Sequence, residues 1–224
     1  MQLVLFDVDG TLVDSHAAID ECMRRTFAEF GHDAPSSLAV RGIIGLSLER
    51  AFETLLEGGK GDAAAMAARY KQKWPVVQGD PVYTSRFFDG MRELLDAFAA
   101  RDDLLLGIVT GKSRRGVDHL IETQGLQRHF QTVRTADDCP SKPHPAMVLE
   151  CCDETGISPG AALVIGDTTF DIEMARNAGA DAIGVGWGYH EAEALRNAGA
   201  SAIAETANEL AALLAPAAMA DTAG

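Results

Sequence analysis

Asp7 and Asp9 follow directly on the apolar run Leu3-Val4-Leu5-Phe6. Thr110 closes the run Leu104-Leu105-Leu106-Gly107-Ile108-Val109, and Asp167 follows Ala162-Leu163-Val164-Ile165 and Gly166. Lys142 stands in Ser141-Lys142-Pro143-His144-Pro145, a loop that opens a helix, and Asp171 lies one helical turn beyond Asp167. Together these groups suit phosphoryl transfer. A carboxylate that attacks phosphorus forms an acyl phosphate and divides one hard hydrolysis into two easier steps. The attacking carboxylate and the phosphate dianion repel each other, so a divalent cation such as Mg²⁺ must bridge them. Magnesium takes oxygen ligands and keeps several waters, a shell that Asp7 and Asp167 can begin. Lys142 and the Thr110 hydroxyl can hold the other phosphate oxygens, and Gly10 leaves room for phosphate at the backbone. Asp9 can protonate the leaving oxygen and later deprotonate the attacking water.

Each residue also has a plainer use when taken alone. Asp9-Gly10 is turn chemistry, and Thr110-Gly111 can end a strand or cap a helix. Lys142 between serine and proline suits a solvated loop. Thr168-x-x-Asp171 has the spacing of a capping box, and Asp167 can serve the same helix start. These uses leave unexplained why acids, hydroxyl and lysine form one chemically complete set.

Short apolar runs at 3–6, 104–109, 162–165 and 182–185 suit strands buried on both faces of a parallel sheet. Amphipathic stretches alternate with them. Ser113 caps one that carries Val117, Leu120 and Ile121 and stops at Gly125; residues 144–155 and 169–178 form two more. The pattern predicts an α/β fold, a doubly wound parallel sheet whose strand C-termini share one edge and form the ligand crevice. Residues 15–80 interrupt it with three helical stripes: Ile19, Cys22, Met23, Phe27 and Phe30; Leu48, Ala51, Phe52, Leu55 and Leu56; Met66, Ala67, Tyr70 and Trp74. Gly58-Gly59-Lys60-Gly61 separates the last two. The division expected is a core of residues 1–14 and 81–215, an inserted helical module of residues 15–80, and a flexible tail of residues 216–224.

The motifs resemble those of the haloacid dehalogenase superfamily, in its phosphoglycolate-phosphatase-like branch. Asp7-Val8-Asp9-Gly10-Thr11-Leu12-Val13-Asp14-Ser15 is similar to the first motif, Thr110-Gly111 to the second, Lys142-Pro143 to the third, and Gly166-Asp167-Thr168-Thr169-Phe170-Asp171 to the fourth. The resemblance implies a Rossmann-like core with a helical cap domain inserted after the first strand. It implies Asp7 as nucleophile, Asp9 as acid and base, and Thr110, Gly111 and Lys142 around the phosphate. It places Mg²⁺ on Asp7, the Asp9 carbonyl and Asp167, with Asp171 assisting. Arg41-Gly42-Ile43-Ile44-Gly45-Leu46-Ser47 is similar to a cap segment facing the site, which makes Arg41 a candidate substrate contact. The activity implied is hydrolysis of a small, phosphoglycolate-like monoester.

Dehalogenases of the superfamily lack the second acid of the first motif and need no metal, so Asp9 and Asp167 favour phosphoryl transfer. A β-phosphoglucomutase-like phosphomutase shares every core motif. Its cap must hold a second phosphate, and Arg41 and Arg50 are the basic residues near that stretch. A non-catalytic phospho-acceptor similar to a response-regulator receiver, or a phosphate-binding protein of the same fold, is a third reading, but a cap of some sixty residues would serve no receiver and no motif residue is missing.

Lysine and arginine number 19 against 33 acids, a net charge of −14. That balance excludes an electrostatic footprint for nucleic acid or anionic lipid and obliges an anionic substrate to find its cation locally. Four cysteines without paired metal spacing suit reduced thiols. No apolar run reaches membrane-spanning length, and the start lacks the basic and apolar regions of a signal peptide. A soluble cytoplasmic protein, monomeric or homodimeric, is expected to act on a small phosphorylated metabolite.

Overall fold

The computed structural model describes residues 1–56 and 61–215. The glycine-rich break expected at 58–61 falls outside them except for Gly61, as does the tail at 216–224.

Six strands form one parallel sheet: β1 (Gln2–Phe6), β4 (Leu104–Thr110), β5 (Phe130–Thr135), β6 (Ala162–Gly166), β7 (Asp181–Val185) and β8 (Ala202–Ala204), in the order β5-β4-β1-β6-β7-β8. The four apolar runs are the central strands β1, β4, β6 and β7. Their side chains alternate between two cores. Val4, Phe6, Leu106, Ile108 and Ile165 face one layer, and Leu3, Leu5, Val109 and Val164 face the other. Period-two alternation with both faces apolar is what a parallel strand covered on both sides requires.

Helices α5 (Met91–Ala99), α6 (Arg114–Gln124) and α10 (Ala207–Leu213) cover the first face; α7 (Ala146–Thr155), α8 (Thr169–Ala178) and α9 (Ala192–Ala198) cover the second. The local signals behave as their chemistry demands. Ser113 Oγ accepts from Gly116 N at 3.3 Å, and Gly125 ends α6 in the left-handed region at φ 67°. The chain leaves the middle of the sheet at β1, travels to β5, and returns to lay β6 against the other side of β1. The crevice of a doubly wound sheet opens at such a reversal. Asp7 and Asp167 end the two strands that flank it, and Asp7 N donates to Ile165 O at 2.9 Å.

A two-stranded antiparallel ribbon pairs β2 (Val13–Asp14) with β3 (Arg86–Phe87). Between those strands run α1 (His16–Glu29), α2 (Ser37–Arg41), α3 (Leu48–Leu55) and α4 (Ala63–Gln78). Their apolar stripes meet in a separate cluster of Ile19, Cys22, Met23, Phe27, Phe52, Met66 and Tyr70. Phe27 stacks on Phe52 at 5.7 Å between centroids, and Tyr70 on Trp74 at 5.7 Å. Phe30, assigned to the first stripe from its spacing, is instead the exposed C-cap of α1. The helical layer thus has its own core and stands on the ribbon over the sheet's C-terminal edge.

Candidate active site

Asp7 is buried beyond the end of β1, and neither carboxylate oxygen has a well-formed hydrogen bond. Lys142 Nζ lies 2.9 Å from Asp7 Oδ1 and 2.5 Å from Asp171 Oδ1, as an ion-pair contact to the first and a hydrogen bond to the second. Asp167 Oδ1 accepts from the Thr11 hydroxyl at 2.8 Å, and Oδ2 from Tyr189 N at 3.0 Å. Asp171 also caps its own helix, because Thr168 N and Oγ1 both donate to its Oδ2, at 3.1 and 2.7 Å. Structural and electrostatic uses coexist in that one side chain.

One oxygen from each of Asp7, Asp167 and Asp171 lies within 4.8 Å of the others, and all three residues are buried. Three carboxylates against one lysine leave an excess of negative charge in a place screened from bulk water. Burial, with repulsion from Asp171 and Asp9, pushes the Asp7 carboxyl up to about 6 despite Lys142. Burial, then Asp171 and Asp7, raises Asp167 well above the carboxylate range. Burial works against the Lys142 charge, but Asp171 and Asp7 outweigh it and hold the ammonium firmly protonated. Orphaned oxygens, an all-oxygen donor set and surplus negative charge fit a hard divalent cation. Glycines make the space around it. Gly10 has φ 93°, and a Cβ there would overlap Asp167 Oδ2 and lie 2.6 Å from Tyr189 Cε2. Only a glycine accepts both the conformation and the approach.

Asp9 sits at the edge of this cluster. Ser15 Oγ donates to its Oδ1 at 2.6 Å, and Lys112 Nζ reaches Oδ1 at 2.8 Å and Oδ2 at 3.1 Å. The same ammonium lies 4.7 Å from the centroid of the Trp74 ring, on α4 of the helical layer. Thr110 is buried at the end of β4, its Oγ1 accepting from Lys112 N at 3.2 Å. A Cβ on Gly111 would lie 2.5 Å from Gly45 O and 2.6 Å from Leu46 O, so this glycine lets the helical layer's loop touch the strand end.

The structure therefore brings Asp7, Asp9, Gly10, Thr110, Gly111, Lys142, Asp167 and Asp171 to one sheet edge. It does not bring Arg41 there. Arg41 is exposed, 6.0 Å from the Tyr189 ring centroid, and lines a separate small recess with Asp14, His16 and Trp187. Sequence reasoning passed over Lys112, Thr11, Ser15 and Tyr189. Lys112, two residues beyond Thr110 in the same strand-end loop, was the visible signal. Tyr189 reaches Asp167 through its backbone and Ser15 through its hydroxyl, at 3.2 Å from Ser15 N, contacts with no local pattern.

From Asp7, Asp9 and Thr110 a cavity of about 960 Å³ extends beneath the helical layer. Its walls include Met23, Ile44, Leu48, Tyr70 and Trp74 from that layer and Leu120 from α6.

Residues 4–185 match the model of the haloacid dehalogenase-like hydrolase family. A probable phosphatase, IndB of Dickeya dadantii, is 34% identical over 210 residues, covering 93% of this chain and 91% of that protein. A phosphoglycolate phosphatase of Thiobacillus denitrificans is 29% identical, covering 97% of each. The structure of a haloacid dehalogenase-like hydrolase from Streptococcus pneumoniae superposes with a TM-score of 0.81 at 27% identity, covering 95% of this chain and 98% of that one. The family match spans the core motifs and the helical layer alike, and the chain belongs to the haloacid dehalogenase-like hydrolase family.

Proposed function

We propose that this phosphoric monoester hydrolase cleaves a small phosphorylated metabolite in a Mg²⁺-dependent reaction that passes through an acyl phosphate on Asp7. The observation that carries the proposal is the buried Asp7 carboxylate. It is unpartnered in hydrogen bonds, lies at the switch point of the sheet, and is flanked by Lys142 and Asp167. When bound at Asp7, Asp167 and Asp171, Mg²⁺ supplies the positive charge that lets an anionic carboxylate approach an anionic phosphate.

Asp7 attacks phosphorus, and the bond to the leaving oxygen breaks. Asp9 donates a proton to that oxygen and, once ionised, takes one from the water that attacks phosphorus and frees Asp7. Lys112 and Ser15 orient the Asp9 carboxyl. Lys142 and Thr110 hold phosphate oxygens, with Asp171 keeping Lys142 in place. Residues 15–80 act as a cap that covers the site and excludes bulk water. Phosphoglycolate, the substrate in the names of several relatives, is the reference compound. The phosphomutase alternative requires a cation in the cap for a second phosphate; Arg41 lines a different recess, Arg50 pairs with Glu53 at 2.8 Å, and Lys71 on the cavity wall pairs with Asp137.

The experiment is phosphate release from a panel of monoesters with Mg²⁺, after chelation by EDTA, and with Asp7→Asn. Release that chelation stops, Mg²⁺ restores and the substitution abolishes is expected. Metal-indifferent release removes the role given to Asp167. Isomerisation of a sugar phosphate without net release hands the site to a mutase.

A further inference from the structure

The geometry points to a leaving group that is bulky, uncharged and largely apolar, an aryl-alkyl or comparably hydrophobic alcohol rather than a short hydroxy acid. The inference rests on the phosphatase reading above and specifies which monoesters that site prefers. Two observations carry it.

The first is the lining of the cavity beyond the phosphate. The space of about 960 Å³ lies at the upper end of the roughly 300–1,000 Å³ that drug-sized ligands occupy. Met23, Ile44, Leu48, Tyr70 and Trp74 face it, so a group entering from Asp7 and Thr110 exchanges water for hydrocarbon and aromatic surface. Tyr70 is buried within the cap cluster, which makes that part of the wall a fixed surface rather than a mobile rim.

The second is the balance of charge. A phosphorylated hydroxy acid brings a carboxylate, and a sugar bisphosphate a second phosphate; either needs a free cation beyond the reacting centre. Lys112 is committed to Asp9, and Lys71 pairs with Asp137 at 2.8 Å. Among the described residues, the other basic side chains on the cavity wall are Arg115 and His119, both exposed on α6. A carboxylate held between Asp9 and the stretch of wall formed by Met23, Ile44, Leu48, Tyr70 and Trp74 would lose its hydration without compensation, away from the polar side chains Gln78, Ser85 and Thr123 elsewhere on the lining. The cavity therefore selects by burial of apolar surface and rejects anionic tails.

The test separates binding from turnover. Calorimetric titration in Mg²⁺ compares 3-phenylpropylphosphonate with 3-phosphonopropionate, which share the phosphonate and differ in the tail. Tighter binding of the phenyl compound, by about tenfold or more, is expected, since each well-placed apolar group in such a pocket discriminates on that order. Equal or tighter binding of the carboxylate compound overturns the inference. Turnover of 2-phenylethyl phosphate and phosphoglycolate then follows, with kcat/KM for the first expected to exceed the second by at least the same factor. The reverse ranking also overturns it. Phenylpropylphosphonate binding without phosphate release from either ester would sustain the cavity assignment and refute the phosphatase reading, so the two fail separately.

Discussion

Replacing Asp7 by asparagine should end turnover and yet stabilise the metal-free protein. The Asp7 carboxyl is buried with surplus negative charge around it, and its pKa rises from 3.8 to about 6 on folding. Folding thus makes this acid hold its proton more tightly than the unfolded chain does, the opposite of a salt-bridged surface aspartate. Its penalty is complete above about pH 6, shrinks as pH falls through that value, and vanishes below 3.8. At pH 8 it amounts to about 3 kcal/mol, falling to about 2 kcal/mol at pH 5. Asparagine keeps the shape and carries no charge, and Lys142 retains Asp171. Urea unfolding of both proteins in EDTA across pH 5–8 reads the difference directly. A gain of about 3 kcal/mol at pH 8, or about 6–12 °C in Tm for a chain this size, that narrows towards pH 5 is expected. Saturating Mg²⁺ should shrink the gap, because the wild-type carboxylate then has its missing partner. An asparagine variant less stable than wild type at pH 8, or a gap independent of pH, would refute the electrostatic reasoning.

Three other perturbations probe the same architecture. Lys142→Met removes the cation that pairs with the buried Asp7 and Asp171 carboxylates and should cost about 3–5 kcal/mol in metal-free urea unfolding, with kcat/KM falling at least about a hundredfold. Gly111→Ala forces a Cβ against the Gly45 and Leu46 carbonyls; displacing that loop should cost roughly 1–3 kcal/mol and lower kcat/KM, read by unfolding and steady-state kinetics. Burial pushes the Cys22 and Cys151 thiols up to about 12 and Cys139 up to about 11, and raises Cys152. A thiol reagent at pH 8 should therefore react slowly with the native protein and rapidly with all four cysteines once it is unfolded.

The central strands were legible because a strand covered on both faces must be apolar at every position, and Leu3-Val4-Leu5-Phe6 or Ala162-Leu163-Val164-Ile165 has few other uses. The edge strands were not. β5 reads Phe-Gln-Thr-Val-Arg-Thr, more than half of it polar, and β8 has three residues. At a sheet edge, pairing and one-sided burial suffice, so no continuous apolar run forms. Helix α5 also escaped notice, although Met91, Leu94, Leu95 and Phe98 make a clear buried face.

The site divides in the same way. Asp7, Thr110 and Asp167 were visible because each polar residue interrupts an apolar run at a strand end. Lys112 stands two residues beyond Thr110, but only the fold brings it to Asp9, across 103 residues. Tyr189 meets Ser15 across 174 residues, a contact that no local spacing encodes. The large cavity was equally unreadable. Helical periodicity shows that Met23 and Tyr70 are buried, but not that they also line a space open to the catalytic edge.

The most direct test of the central claim is chemical trapping at Asp7. Acid quenching during steady-state turnover, followed by borohydride, reduces an acyl phosphate to an alcohol that peptide mass mapping locates. Asp9→Asn, which slows hydrolysis of the intermediate, should increase its yield. Reduction at Asp7 that requires substrate and Mg²⁺, and that is stronger in Asp9→Asn, is the predicted result. Phosphate release with Asp7 unmodified in both proteins, or with the modification on another residue, would contradict it.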